Sequence, residues 1–296
     1  MVQKVTPHLW YDKEAVEAAE FYCSVLPDSK VTSVTTLPNT PSGDTDVVAF
    51  VLCGQEFQAI SAGPLFRFNP SISFLISCDT KADVDEIWNK LSEGGEALMP
   101  LDSYPFSERY GWTTDRYGLS WQVMAAGERV VTQRIIPTLM FVGDKAGRAE
   151  EAMKFYASVF SNSKVGEIDR YAKGEEPDEE GTVKHGAFTV GGYQLAAIDS
   201  ALDHNFDFNE AISIMVYCKD QAEIDRYWDP LSAVPEAEQC GWLKDKFGVI
   251  WQIVPIAMDE MMSNGTKEQI ARVTDAFLPM KKFNVAELER AYEGSQ

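Results

Sequence analysis

The stretch TPHLWYDKEAVEAAEFYCSVLPDSKV, Thr6 to Val31, returns later as IPTLMFVGDKAGRAEEAMKFYASVFSNSKV, Ile136 to Val165. Both run Pro, short apolar strand, charged Ala-rich helix, Phe-Tyr, Ser-Val and then Ser-Lys-Val. Two further blocks recur in the same order. FNPSISFLISCDTKADVDEIWNKLS from Phe68 is answered by FNEAISIMVYCKDQAEIDRYWDPLS from Phe208, and YGWTTDRYGLSWQVM from Tyr110 by CGWLKDKFGVIWQIVP from Cys240. Val31 to Val165, Phe68 to Phe208 and Trp112 to Trp242 give offsets of 134, 140 and 130 residues. Three blocks in order at so long a period mean a duplicated domain. The joint is the short polar stretch AAGERVVTQR, Ala125 to Arg134.

Inside each copy the hydrophobic period alternates between two and 3.6. Val5 to Tyr11 reads as a strand, and Glu14 to Val25 as a helix with Ala15, Ala18, Ala19 and Tyr22 on one face and Asp12 as N-cap. Val31 to Leu37, Val47 to Cys53 and Glu56 to Ser61 read as strands. The order then restarts. Ser71 to Cys78 is a strand, Lys81 to Leu91 a helix capped by Asp79 or Thr80, and three short strands follow, ending at Ser120 to Met124. Each copy is therefore two β-α-β-β-β units. The second copy repeats this, with helices near Ala149–Phe160 and Gln221–Leu231. The acidic stretch from Lys173 to Lys184 reads as a solvated spacer. The expected division is 1–128, 134–258 and a helical tail over 259–296 that packs across the sheets or an interface.

Composition excludes several function classes. The 296 residues hold 26 Lys+Arg against 46 Asp+Glu, a formal charge of −20, which repels phosphate backbones and anionic membranes. No apolar run approaches the length of a membrane span, and the start lacks a signal-peptide core. Five scattered cysteines with no CxxC pair suit a reducing, cytoplasmic compartment. Cys23 and Cys53 sit in apolar contexts and read as packed rather than nucleophilic. GxGxxG, Walker A, GxSxG and HExxH are all missing.

Four such units resemble a tandem member of the vicinal oxygen chelate superfamily, which includes glyoxalase I, extradiol dioxygenases and bleomycin-resistance proteins. The closer resemblance is to its PhnB-like branch, often labelled 3-demethylubiquinone-9 3-methyltransferase. Thr6-Pro7-His8-Leu9, Phe21-Tyr22, Pro105 to Trp112, Asp115-Arg116-Tyr117-Gly118 and Trp121-Gln122 carry it in copy one. Gly241-Trp242, Phe247-Gly248 and Trp251-Gln252 carry it in copy two, with the tail MKKFNVAELERAYEG. The resemblance implies an α+β fold of two tandem domains. Each would pair two β-α-β-β-β units into a half-open eight-stranded barrel, with helices on the convex face and a small-molecule cavity on the concave one. On Ser71–Cys78, Ile72, Phe74 and Ile76 would face the helices and Ser73, Leu75 and Ser77 the cavity. Ser213, Met215 and Tyr217 would do the latter in copy two.

Glyoxalase-type relatives hold a divalent metal with ligands from the first, fourth, fifth and eighth strands. The matching positions here are His8, Val47 or Ala49, Ser73 and Gln122, and in copy two Thr138, His185 or Ala187, Ser213 and Gln252. Without a carboxylate, neither set offsets a dication, so no cofactor is expected. If a divalent metal does bind, His8 and Gln122 are its candidate ligands. The other reading makes them cavity-lining polar groups.

The segment Tyr104 to Trp112 mixes aromatics with one acid and one base, as a small-ligand pocket does. The candidate binding residues are Trp10, Ser73, Leu75, Tyr104, Phe106, Gln122, His185, Ser213 and Gln252. His8, Glu108 and Arg109 are the candidate catalytic groups, His for its titration near neutrality. Two functions stay open. One is a binder that holds a small organic molecule in the concave cavity. The other is a lyase, isomerase or dioxygenase using His8 and the Glu108-Arg109 loop, with or without a metal. The methyltransferase label has no S-adenosylmethionine motif behind it. The expected partner is a small organic ligand or substrate, for a pseudo-dimeric monomer or a homodimer; nucleic acid and membranes are not expected.

Overall fold

The computed structural model describes residues 3–294, apart from the side chain of Asn39. The first unit holds β1 (Val5–Tyr11), α1 (Ala15–Val25), β2 (Lys30–Thr40), β3 (Gly43–Leu52) and β4 (Gln55–Ser61). The second holds β5 (Ile72–Cys78), α2 (Lys81–Leu91), β6 (Ala97–Tyr104), β7 (Ser107–Thr114) and β8 (Ser120–Ala125). The third holds β9 (Ile135–Phe141), α3 (Ala149–Val159), β10 (Lys164–Arg170), β11 (Val183–Val190) and β12 (Tyr193–Asp199). The fourth holds β13 (Ile212–Cys218), α4 (Gln221–Leu231), β14 (Trp242–Lys244) and β15 (Ile250–Pro255), and the tail holds α5 (Ile256–Asn264), α6 (Lys267–Phe277) and α7 (Val285–Glu293). Among the described residues no helix is long and apolar enough to cross a membrane.

The mixed α+β class and the unit pattern stand as read. The partnership of the units differs from the expectation. Sheet A runs β14-β15-β13-β1-β4-β3-β2 and sheet B runs β10-β11-β12-β9-β5-β8-β7-β6. Each sheet therefore takes one unit from each copy, the first with the fourth and the second with the third. The joins are antiparallel, with His8 opposite Ser213 and Ser73 opposite Thr138.

The physical reason lies in how the two units of one copy meet. They touch through their helical sides. Tyr22 on α1 donates its hydroxyl to Asp115 Oδ2 at 2.8 Å, in the turn before β8, and its ring packs on Trp121 at 5.2 Å. Trp121 Nε1 donates to the same oxygen at 2.8 Å, and the backbone N–H groups of Tyr117 and Leu119 donate to Oδ1. Copy two rebuilds this with Tyr156, Trp251, Phe247 and Val249 around Asp245. Four donors offset the cost of burying each carboxylate. With the helical sides committed to each other, the outer edges of β1 and β5 are left for the other copy. One continuous core fills the space between the sheets, including Ile72, Phe74 and Ile76 as read from the alternation.

Two local readings are corrected. Asp12 does not cap α1. Glu14 holds the N-cap position without a side-chain bond, and Ser61 Oγ on β4 accepts from the Ala15 N–H at 3.2 Å. Thr80 caps α2 in a reciprocal capping box with Asp83. The fourth unit also lacks a counterpart of β6, so sheet A has seven strands. The tail takes that place. The N–H groups of Cys240 and Gly241 donate to the carbonyls of Met280 and Lys281 at 2.7 and 2.8 Å.

Candidate functional site

The floor of each concave face is a row of polar side chains across its central strands. In sheet A, His8 on β1 stands between Gln58 on β4 and Ser213 on β13, and Gln252 Nε2 on β15 donates to Ser213 Oγ at 2.8 Å. In sheet B, Thr138 on β9 stands between Ala196 on β12 and Ser73 on β5, and Gln122 Nε2 on β8 donates to Ser73 Oγ at 2.8 Å. Tyr110 adds a bond from its hydroxyl to Gln122 Oε1 at 2.7 Å. Gln58 is the donor missed in the sequence. The fourth-strand position falls on β4 rather than on Val47 or Ala49, which lie on β3.

The candidate residues sort by sheet and not by copy. His8, Trp10, Ser213 and Gln252 belong to sheet A; Ser73, Leu75, Tyr104, Phe106, Gln122 and His185 belong to sheet B. The structure does not assemble His8, Glu108 and Arg109. His8 is on sheet A. Glu108 pairs with Lys81 at 2.6 Å and Arg109 Nε with Asp85 at 2.6 Å, both carrying their charge toward α2. His8 and Gln122 are likewise on different sheets and cannot share an ion.

Each floor is covered by another part of the chain. Over sheet A lies the tail. There α6 packs on β2 at one edge, while Cys240 Sγ, at the other, is 3.7 and 3.4 Å from the carbonyls of Phe277 and Leu278 at the helix end. Gln58 Nε2 donates to the Tyr217 hydroxyl at 2.8 Å, and Asp259 on α5 lies beside both, its pKa held above the usual carboxylate range by burial. Trp242 packs edge-on against the His8 ring at 5.3 Å. His8 is 3% exposed, and burial lowers its pKa to about 3, so the imidazole is neutral. Its Nδ1 and the Thr6 hydroxyl beside it have no hydrogen-bond partner.

Over sheet B lies its own β6–β7 hairpin, curled by three register shifts. Leu75, Tyr110 and Met124 form an apolar cluster apart from the main core, joined by Met99, Tyr104, Trp112 and Ile136. Tyr104 stacks on Phe106 at 5.6 Å, and both rings meet Tyr110 edge-on. Phe106 is 47% exposed, while Thr138, 3% exposed on the floor, has a hydroxyl without a partner. His185 lies on β11 across the face, its pKa lowered first by desolvation and then by the charge of Arg129. A surface cleft of about 620 Å3, between Arg67–Pro70 and Asn205–Asn209, lies off both floors.

The superfamily's divalent metal does not fit either row. Sheet A offers one imidazole, two amides and a hydroxyl; sheet B offers hydroxyls and one amide. A Lewis-acid ion needs about three good donors, with anionic charge among them in such oxygen-rich sets. Among the described residues no three His, Cys, Asp or Glu side chains group as ligands.

Two curved sheets of crossed β-α-β-β-β units give the chain a tandem, glyoxalase-like fold. A glyoxalase I variant from Zea mays superposes with a TM-score of 0.52 over 85% of this chain and 93% of its own, at 10% identity, a likeness of fold alone. The family model described as 3-demethylubiquinone-9 3-methyltransferase matches residues 3–124 and 133–254, and the chain belongs to that family. A PhnB protein from Bacillus cereus, titled a putative 3-demethylubiquinone-9 3-methyltransferase, is 39% identical over 42% of this chain and all of its own, with a TM-score of 0.40. A Pseudomonas aeruginosa protein is 23% identical over 42% of this chain and 98% of its own, with a TM-score of 0.37. No curated protein matches the chain.

Proposed function

We propose that this protein binds a small organic molecule on the concave face of sheet B, beneath the Tyr104–Phe106 turn. The observation that carries the reading is the pairing of an apolar shelf outside the main core with an unpartnered buried hydroxyl. Leu75, Tyr110 and Met124 supply the shelf and Thr138 the hydroxyl. Apolar walls with a few convergent polar groups are what small-ligand pockets are made of, and a buried hydroxyl without a partner calls for a molecule that completes it. Ser73 and Gln122 are fixed by their mutual bond and by Tyr110, so the floor is rigid. The ligand enters by lifting the Tyr104–Phe106 turn. Each sheet is completed within one chain, which favours a pseudo-dimeric monomer.

Thermal denaturation with a metabolite library tests this. A binding compound stabilises the wild type, and Phe106→Ala or Thr138→Val reduces the shift. A shift untouched by both substitutions, or no shift with any compound, overturns the reading.

The enzymatic alternative, lyase, isomerase or dioxygenase chemistry at His8, draws on its neutral imidazole and unpartnered Nδ1. It requires the tail to leave sheet A, and it does without Glu108 and Arg109. Turnover abolished by His8→Phe but kept in Thr138→Val would favour it over the binder.

A further inference from the structure

The geometry points to a small organic anion as the ligand of sheet B, its charged group met by Arg129 and its apolar body laid on the Leu75–Tyr110–Met124 shelf. This rests on the sheet B reading above and adds the chemical class.

Arg129 follows β8 in the joint between the copies, and its side chain is exposed. It donates from Nη2 to the Phe106 carbonyl at 2.6 Å and from Nη1 to Met124 Sδ at 3.3 Å. Those bonds fix the guanidinium where the aromatic shelf reaches solvent. A guanidinium has five N–H donors, so these two acceptors leave others free. Both acceptors are neutral. Among the described residues no carboxylate forms an ion pair with Arg129, although the chain carries −20 overall. Its neighbours Arg109 and Arg134 are paired, with Asp85 and Asp79. A cation held in place with its charge unanswered is preorganised for carboxylate, sulfonate or phosphonate oxygens.

Two further observations agree. The charge of Arg129 contributes to lowering the pKa of His185 on β11, so its field reaches that strand. Asp169, opposite His185 on β10, acts on that ring in the other sense and sits at the far rim. At the inner end, the Thr138 hydroxyl lacks a partner. The ligand so described is anionic at the Arg129 end, apolar or aromatic in the middle and able to accept or donate one hydrogen bond at the Thr138 end.

A matched pair of fluorescent probes separates charge from shape. 8-Anilinonaphthalene-1-sulfonate carries an anion, and N-phenyl-1-naphthylamine has the same rings without it. The sulfonate is expected to bind the wild type about tenfold more tightly, a preference that weakens with salt. Arg129→Gln should erase the preference by weakening the sulfonate alone, and Arg129→Lys should restore part of it. The His185 pKa, read by NMR, should rise when the sulfonate binds, and should rise in unliganded Arg129→Gln as the cation is removed. Equal affinities in the wild type, or a preference that survives Arg129→Gln, overturn the inference. If Phe106→Ala leaves both affinities unchanged, neither probe sits on this face, and the sheet B reading itself fails.

Discussion

At equivalent positions the floor of sheet A carries Gln58, His8, Ser213 and Gln252, and that of sheet B carries Ala196, Thr138, Ser73 and Gln122. The Ser–Gln pairs are the same; the first two places differ, and so do the covers. Sheet A has lost its eighth strand and gained three helices that reach Gln58 and Tyr217 through Asp259. Sheet B keeps the strand and folds it back as an aromatic hairpin with an exposed edge. Duplication left two copies of one floor. One is closed by the C-terminal helices, and the other by a hairpin that the proposed ligand would displace.

The largest expected effect tests the cover of sheet A. Phe283 is 2% exposed, and its ring lies where a Cβ on Gly241 would be 2.3 Å away. Phe283→Ala is expected to cost about 3–5 kcal/mol. Amide exchange should accelerate first in β14 and β15; equal acceleration in β5 and β8 would break the distinction between the two covers.

Next comes acid sensitivity, to which His8 on the sheet A floor contributes. His8 titrates at about 3 when folded and 6.5 when unfolded, so the unfolded chain takes up the proton first. Stability is fully present above pH 6.5 and falls as pH drops toward 3. At pH 5 the His8 contribution is a loss of about 2 kcal/mol. Denaturant titrations at pH 7 and 5 should register it in the wild type and not in His8→Thr, which copies the sheet B floor. The same fall in both proteins would assign the acid response elsewhere.

The shared Ser–Gln pairs should differ by one bond. Gln122→Leu strands the hydroxyls of Ser73 and Tyr110 and should cost about 1–2 kcal/mol, with Gln252→Leu about 1 kcal/mol milder because it strands only Ser213. Urea midpoints in the reverse order would mean that the Tyr110 bond adds nothing. Smallest is Phe106→Ala. At 47% exposure it should change stability by less than about 0.5 kcal/mol while reducing the ligand shift. A large drop in melting temperature would make Phe106 a structural clamp.

The repeat made the four units and most of their elements legible, because apolar alternation and helix spacing are local properties. The facing of Ile72, Phe74 and Ile76 followed from it. Which units would share a sheet was not local. It depends on Tyr22 meeting Asp115 and Tyr156 meeting Asp245, contacts separated by 93 and 89 residues. The signal existed: Tyr, Asp and Trp recur in both copies at matching places. Glu108 and Arg109 looked like a site because charge beside aromatics suggests one, but Lys81 and Asp85 on α2 claim them. Arg129 sat in a stretch read as linker, and its bonds to Phe106 and Met124, made in space and not in sequence, set it apart.

The crossed pairing also sets an order of completion during synthesis. All strands of sheet B have been made by Asp199, whereas sheet A waits for β13 to β15 and so for Pro255. Until then the β1 edge that will receive β13 has no neighbour, and an open edge invites wrong partners. Strand β1 is thus among the last to be locked, because its partner β13 emerges long after it.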